Sequence, residues 1–227
     1  MTRGKRVTVF LWTVEGGRFV RIEIDEHATA RQPQKRATRD RVEGILREAE
    51  AILLAEGING FSIPVLAARL GYTRASIYRF FPTPYAVINK LSLRYFDDLS
   101  ERVKHLARVH TEMGWQDLLA LLIRFSAIYY NERPAARLLM LGGALTDMSF
   151  SVQEQTNQDL GNMIRVLLQD RGLTLASEPD RASIAVGIID GILRHSQYRY
   201  GRVTDECCEE AIRASIAYLS PIIENQK

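Results

Sequence analysis

Between residues 39 and 99 the apolar positions recur at helical spacing. Val42, Ile45, Leu46, Ala49, Ile52 and Leu53 fall at i, i+3, i+4, i+7, i+10 and i+11, one stripe on a helix of about 18 residues. Gly57 and Asn59-Gly60 end it. Ser62 caps a second, short helix with Pro64 in its first turn and Ile63, Leu66, Ala67 and Leu70 facing inward. Gly71 stops that helix, and Thr73 caps a third that runs through Phe80. Thr83-Pro84 then reads as the cap and first turn of a fourth, longer helix carrying Val87, Ile88, Leu91, Tyr95 and Leu99.

Beyond residue 100 the helical period continues, broken near Met113-Gly114, Arg133-Pro134, Gly142-Gly143, Arg171–Pro179 and Gly201. Helices are predicted over about 115–131, 134–146, 152–171, 180–199 and 204–219. No strand pattern or repeat interrupts them, so the body is expected to be all-α. At the other end, Val7–Val14 and Arg18–Ile24 are rich in β-branched and aromatic residues around Glu15-Gly16-Gly17. That stretch reads either as a β-hairpin, which would need something to pack on, or as a disordered leader. Residues 25–38 are polar, contain Pro33 and read as a linker. Three segments follow: an extension over 1–38, a small helical domain over 39–98 and a larger helical domain over 99–227.

Composition narrows the class. The 227 residues are 46% hydrophobic and 25% charged, as in soluble globular proteins. The formal charge of +3 says little until it is divided: residues 1–100 hold 16 Lys/Arg and 11 Asp/Glu, so the positive excess sits in the N-terminal part. Cys207 and Cys208 are adjacent, which sets their Cα atoms about 3.8 Å apart, below the usual disulfide separation. A disulfide-stapled secreted fold is not expected. No apolar run approaches the ~20 residues of a membrane span. The basic start followed by Val7–Val14 resembles a signal peptide only until Glu15. The expected location is the cytoplasm, with no membrane partner.

The sharpest local signal is Ser62–Leu70, then Gly71-Tyr72-Thr73, then Arg74–Phe80: two short helices joined by a three-residue turn containing Gly. Such a turn lets the helices cross steeply and holds the second one out, where it fits the major groove of duplex DNA. Arg74 stands in its first turn, Ser76 offers a short hydroxyl, and Tyr78 and Arg79 are long enough to reach base edges or phosphates. Ile77, Phe80 and Phe81 are positioned to pin it. Between Glu56 and Asp97 no carboxylate occurs over 40 residues that also carry Arg69, Arg74, Arg79, Lys90 and Arg94. A polyanion repels carboxylates as strongly as it attracts cations. Upstream, Arg31, Lys35, Arg36, Arg39 and Arg41 form a basic arm suited to phosphates or the minor groove.

The segment RVEGILREAEAILLAEGINGFSIPVLAARLGYTRASIYRFF resembles the N-terminal domain of the tetracycline-repressor (TetR) family of bacterial transcription regulators. The likeness covers about 39–98. It rests on an amphipathic first helix ending in E-G, an F-S opening, A-x-x-x-G-Y-T and a recognition helix ending I-Y-x-x-F. The resemblance implies a three-helix DNA-binding domain followed by a helical domain for ligand binding and dimerisation. It implies that Ser62 and Thr73 cap helices and touch phosphate, that Arg74 and Ser76 face base edges, and that Tyr78 and Arg79 contact backbone or base. One departure is Pro84, which stands where the family usually has a Lys that points at phosphate.

In the C-terminal part, Ile184, Ile188, Gly191, Ile192 and His195 mark one apolar stripe, and Ile212 and Ile216 belong to a second. They suit a two-helix face joining two chains, with Gly187 and Gly191 allowing close approach; alternatively they pack on the protomer's own core. A homodimer is expected, because one recognition helix reads only a few base pairs. Phe125, Tyr129, Met140, Met148 and Phe150 are candidate liners of a small-molecule effector pocket, or plain core. The expected activity is therefore a repressor on a double-stranded DNA operator, released by an effector. Alternatives are a DNA-binding protein of the same fold without an effector, and an enzyme. Against the enzyme, His27, His105, His110 and His195 are scattered, and no metal-binding, dinucleotide, nucleophile-elbow or Walker motif occurs. No cofactor or metal is expected; Cys207-Cys208 beside Glu206 and Glu209 reads as packing or as a metal or redox sensor.

Overall fold

The computed structural model describes residues 6–13, 18–25, 36–142 and 147–225. In chain order these form β1 (Arg6–Thr13), β2 (Arg18–Asp25), α1 (Arg36–Gly60), α2 (Ile63–Leu70), α3 (Arg74–Tyr78), α4 (Pro84–Val109), α5 (Trp115–Glu132) and α6 (Pro134–Leu141). There follow α7 (Asp147–Gln169), β3 (Leu173–Leu175), α8 (Arg181–Tyr200), α9 (Asp205–Leu219), one 3₁₀ turn and β4 (Ile223–Asn225). The chain divides between Arg94 and Tyr95, inside α4. Residues 36–94 belong to the first unit, together with residues 147–152; residues 95–142 and 153–225 make the second. No helix among the described residues is long and apolar enough to cross a membrane.

In the first unit the predicted stripe of α1 is the core. Ile45, Leu46, Ala49, Ile52 and Leu53 are all essentially inaccessible, and Ile63, Leu66, Ile77, Phe81, Val87 and Leu91 are buried likewise. The helix breaks at Gly57, whose φ of +70° only glycine adopts without strain, and a last turn carries it to Gly60. At the N-terminus the paired-strand alternative is the one found. β1 and β2 run antiparallel from Arg6↔Asp25 to Thr13↔Arg18. The register sets Val7, Val9 and Leu11 opposite Ile24, Ile22 and Val20.

The second unit buries Leu118, Leu122, Tyr129, Leu141, Leu168, Ala185, Leu193, Ala211 and Leu219 in one cluster. Two boundaries depart from the periodicity. α6 ends at Leu141 instead of 146, and α7 starts at Asp147 instead of 152. The backbone turns at Gly142, where a Cβ would lie 2.0 Å from the Leu138 carbonyl oxygen, so no other residue fits. The body is all-α as expected, with one short antiparallel pair, β3–β4, added to it. With three residues each, these strands are too short to show an alternating pattern.

Three polar clamps hold the loops of this unit. The Asn131 amide donates to the Val203 carbonyl at 2.7 Å and accepts from the Val203 amide at 3.0 Å, fixing the α8–α9 turn on α5. The Arg171 guanidinium, just past α7, donates to the carbonyls of Met113, Leu167, His110 and Thr111 at 2.8–3.0 Å, so one side chain ties three carbonyls of the α4–α5 turn to α7. Asp180 caps α8, accepting from the Ser183 amide and hydroxyl and from Arg165. Burial opposes its charged form, but the Ser183 and Arg165 hydrogen bonds outweigh that and hold its carboxyl below the usual carboxylate range.

Arg171→Met should lower stability by about 2 kcal/mol, because three half-buried carbonyls and an exposed one lose a charged donor. Urea unfolding measures this, and an unchanged midpoint would show that the clamp contributes nothing. Asp180 has a depressed folded pKa, so its contribution is present above the ordinary unfolded value near 4 and is lost as pH falls through the folded one. Asp180→Asn should therefore flatten the acid side of the stability–pH profile while changing its slope at pH 6–8 little.

Candidate nucleic-acid interface

The geometry of the site starts with its caps. Ser62 Oγ accepts from the Val65 amide at 3.4 Å and opens α2; Thr73 Oγ1 accepts from the Ser76 amide at 3.3 Å and opens α3. Between them Gly71 sits at φ +64°, and the Tyr72 amide closes on the Ala67 carbonyl at 3.0 Å. α3 is shorter than predicted. Its regular part ends at Tyr78, and the amides of Phe80 and Phe81 both donate to the Ile77 carbonyl in a tightened last turn. Ile77 and Phe81 have no accessible surface and Phe80 is 5% exposed.

That anchoring decides what faces out. Thr73, Arg74, Ala75, Tyr78 and Arg79 are exposed. Arg74 has no ion pair among the described residues, and Arg79 lies over the Phe80 ring at 5.0 Å. Ser76 is placed differently from expectation: its hydroxyl is shielded from solvent and has no hydrogen-bond partner among the described residues. It lies on the inner flank of α3, one residue from Ile77, so it does not present its oxygen outward as the resemblance implies. Ser62 is half-buried and occupied as a cap. Arg36 is the first residue of α1 and Lys35 lies outside the described residues.

The carboxylate gap in the sequence is partly closed in space. Arg69 pairs with Glu56 at 2.6 Å and Glu48 at 3.4 Å, and Arg94 pairs with Glu43 at 2.8 Å, all three acids coming from α1. Arg74, Arg79 and Lys90 remain as exposed cations of that stretch with no acid partner among the described residues. One contact gave no sequence signal beyond the residue types: Arg41 of α1 stands over the Tyr72 ring at 4.4 Å, tying the arm-bearing helix to the turn. At the start of α4, Thr83 Oγ1 caps the Ala86 amide at 3.1 Å and Pro84 occupies the first turn.

In the second unit, Ile184, Gly191 and His195 are exposed on α8, Ile188 and Ile192 are half-buried beside them, and the Cβ directions of Gly187 and Gly191 meet open space. On α9 Ile212 is 7% exposed and packs in its own protomer's core, the alternative left open for that stripe. Ile216 packs half-buried against the same core. Exposed Tyr198 extends the α8 face. Of the proposed pocket liners, Met140 borders a cavity of about 70 Å³ together with Phe96, Leu99, Tyr130, Leu160 and Leu193. Tyr129 is buried elsewhere in the core, its hydroxyl donating to the Tyr95 carbonyl at 3.2 Å, and burial pushes its pKa well above the usual tyrosine value. Phe125 is half-buried against the core, and the side chains of Met148 and Phe150 lie outside the described residues. Burial and the neighbouring Glu209 raise the Cys208 thiol, in keeping with packing, and no group of three metal-ligating side chains occurs among the described residues.

Because Gly71 is left-handed with free space around it, Gly71→Ala carries only the backbone cost, about 1 kcal/mol. A fall of that size in chemical-denaturation stability is expected; no change would show that the turn relaxes to another conformation.

Residues 45–89 match the family model of bacterial regulatory proteins, tetR family. Among solved structures, a TetR-family transcriptional regulator from Pectobacterium atrosepticum superposes with a TM-score of 0.64 at 16% identity, over 86% of this chain and 100% of that one. A TetR-family protein from Mesorhizobium loti gives 0.61 at 17% identity, over 83% and 98%. SmeT, the repressor of the Stenotrophomonas maltophilia multidrug efflux pump SmeDEF, gives 0.59 at 20% identity, over 78% and 88%. These likenesses show the fold. No curated protein matches the chain. The helix-turn-helix segment over residues 45–89 thus matches the tetR family of bacterial regulatory proteins, and the chain has the fold of these solved structures.

Proposed function

We propose that the chain is a transcriptional repressor that binds a palindromic DNA operator as a homodimer and is released from it by a small-molecule effector. The observation that carries the reading is α3: a five-residue helix whose Ile77, with Phe80 and Phe81 beyond it, is sunk in the core while Arg74, Tyr78 and Arg79 face solvent. Arg74 sits at its N-terminal end, where side chains of a recognition helix reach base edges and a guanidinium suits guanine O6 and N7. Tyr78 and Arg79, on the same exposed face, suit phosphates. The arm of Lys35 and Arg36 would lie along the backbone or in the minor groove.

A helix this short covers only a few base pairs, which favours two copies on successive major grooves. The α8 face supports that assembly: Ile184, Gly187, Gly191, His195 and Tyr198 lie exposed in a row with no bulk on the glycines. The effector is supported by the cavity beside Met140, and SmeT, of similar fold, is known in complex with triclosan. An effector acts by preferring the DNA-free arrangement, and shifts the equilibrium only by that preference. At about 70 Å³ the cavity is smaller than the 300–1,000 Å³ typical of drug-sized ligands. Its size favours, as a second reading, a regulator of the same fold that answers to no drug-sized molecule.

Selection of bound sequences from random duplex DNA tests the repressor reading, with a two-fold symmetric site expected. On that site Arg74→Ala should cost ~1–3 kcal/mol of affinity and relax preference at one position per half-site. The log–log salt dependence should be steep, with a slope of about −0.9 per neutralised phosphate. Enrichment of no sequence, or full affinity in the Arg74 variant, would contradict the reading.

A further inference from the structure

The second unit holds a groove of about 500 Å³ between the C-terminal part of α4 and α7, within the volume range of ordinary small-molecule sites. Its floor is aliphatic, formed by Ala107, Met163, Val166 and Leu167. Val166 is 54% exposed, a large apolar side chain left half-open by the described residues. Charged groups stand on both walls, and most of them are engaged within the protein. Glu101 and Lys104 pair at 3.2 Å, Asp159 accepts from Gln155 at 3.1 Å, and the Arg171 guanidinium is taken up by backbone carbonyls.

Arg108 and Asp170 are the exceptions. Both side chains line the groove, both are exposed, and neither makes an ion pair or hydrogen bond with any described residue, including each other. Arg108 comes from α4 and Asp170 follows α7, so opposite charges stand on the two walls of an apolar trough. A ligand with only an acid group would meet Asp170 as a like charge, and one with only an amine would meet Arg108. A molecule carrying both beside an apolar body satisfies the two walls and the floor together.

We propose that this groove binds a zwitterionic small molecule of the free α-amino-acid class with a large apolar side chain. Its carboxylate pairs with the Arg108 guanidinium, its ammonium with Asp170, and its side chain lies on Met163, Val166 and Leu167. The site is distinct from the cavity beside Met140 and does not depend on DNA binding.

The test is calorimetric titration of the full chain with L-leucine, L-phenylalanine and L-tryptophan, alongside L-phenylalaninamide, which lacks the carboxylate, and 3-phenylpropionate, which lacks the ammonium. At least one amino acid should bind, and the two phenylalanine analogues should bind at least tenfold more weakly than phenylalanine. Arg108→Gln and Asp170→Asn, both exposed, should keep the thermal midpoint and weaken the amino acid by about tenfold or more. In Asp170→Asn the discrimination against 3-phenylpropionate should shrink, because the like charge is gone. Val166→Trp, which fills the floor, should abolish binding. The proposal is overturned if no amino acid binds at millimolar concentration, if the analogues match phenylalanine, or if both charge variants bind as the parent does.

Discussion

The burial of Ile77, with Phe80 and Phe81 behind it, is the constraint on which the DNA-binding unit depends. A five-residue helix has too few internal hydrogen bonds to be stable by itself. It persists because Ile77 and two side chains from its closing turn are removed from water. That placement fixes rotation about the helix axis, and rotation decides which side chains face solvent. Arg74, Tyr78 and Arg79 face out because Ile77 faces in, and Ser76 turns inward for the same reason.

Electrostatics refine this picture. A gap in carboxylates along the sequence need not be a gap in space, since α1 runs beside the later helices and brings Glu43, Glu48 and Glu56 to Arg94 and Arg69. Those pairs are exposed and contribute little to stability, yet they neutralise two of the five cations in the gap. What remains positive is concentrated on α3 and at Lys90. A small number of free guanidinium groups on one short exposed helix is a better footprint for a groove than a diffuse basic half.

The parts of the fold set by neighbours in sequence were readable beforehand. Ser62 and Thr73 cap helices through backbone groups three residues on, and Gly71 and Gly201 adopt the left-handed turns that end them. The stripe of α1 is core because its spacing permits little else. What could not be read depends on residues distant in the chain. An apolar stripe announces burial but not the partner, which is why Ile212 proved to be core of its own protomer. The Ser76 hydroxyl, the Arg41–Tyr72 stack, the Arg171 clamp and the β3–β4 pairing are all tertiary facts. In the second unit helix existence was legible, while the cavity and the α4–α7 groove emerge only from how the helices are spaced.

The central claim is that the outward face of α3 enters a major groove. Methylation interference on the enriched binding site reads this directly, because dimethyl sulfate modifies guanine N7 in the major groove and adenine N3 in the minor groove. The account predicts that N7 methylation at symmetric guanines in both half-sites blocks binding. Interference confined to adenine N3, with guanine N7 methylation tolerated throughout, would contradict it.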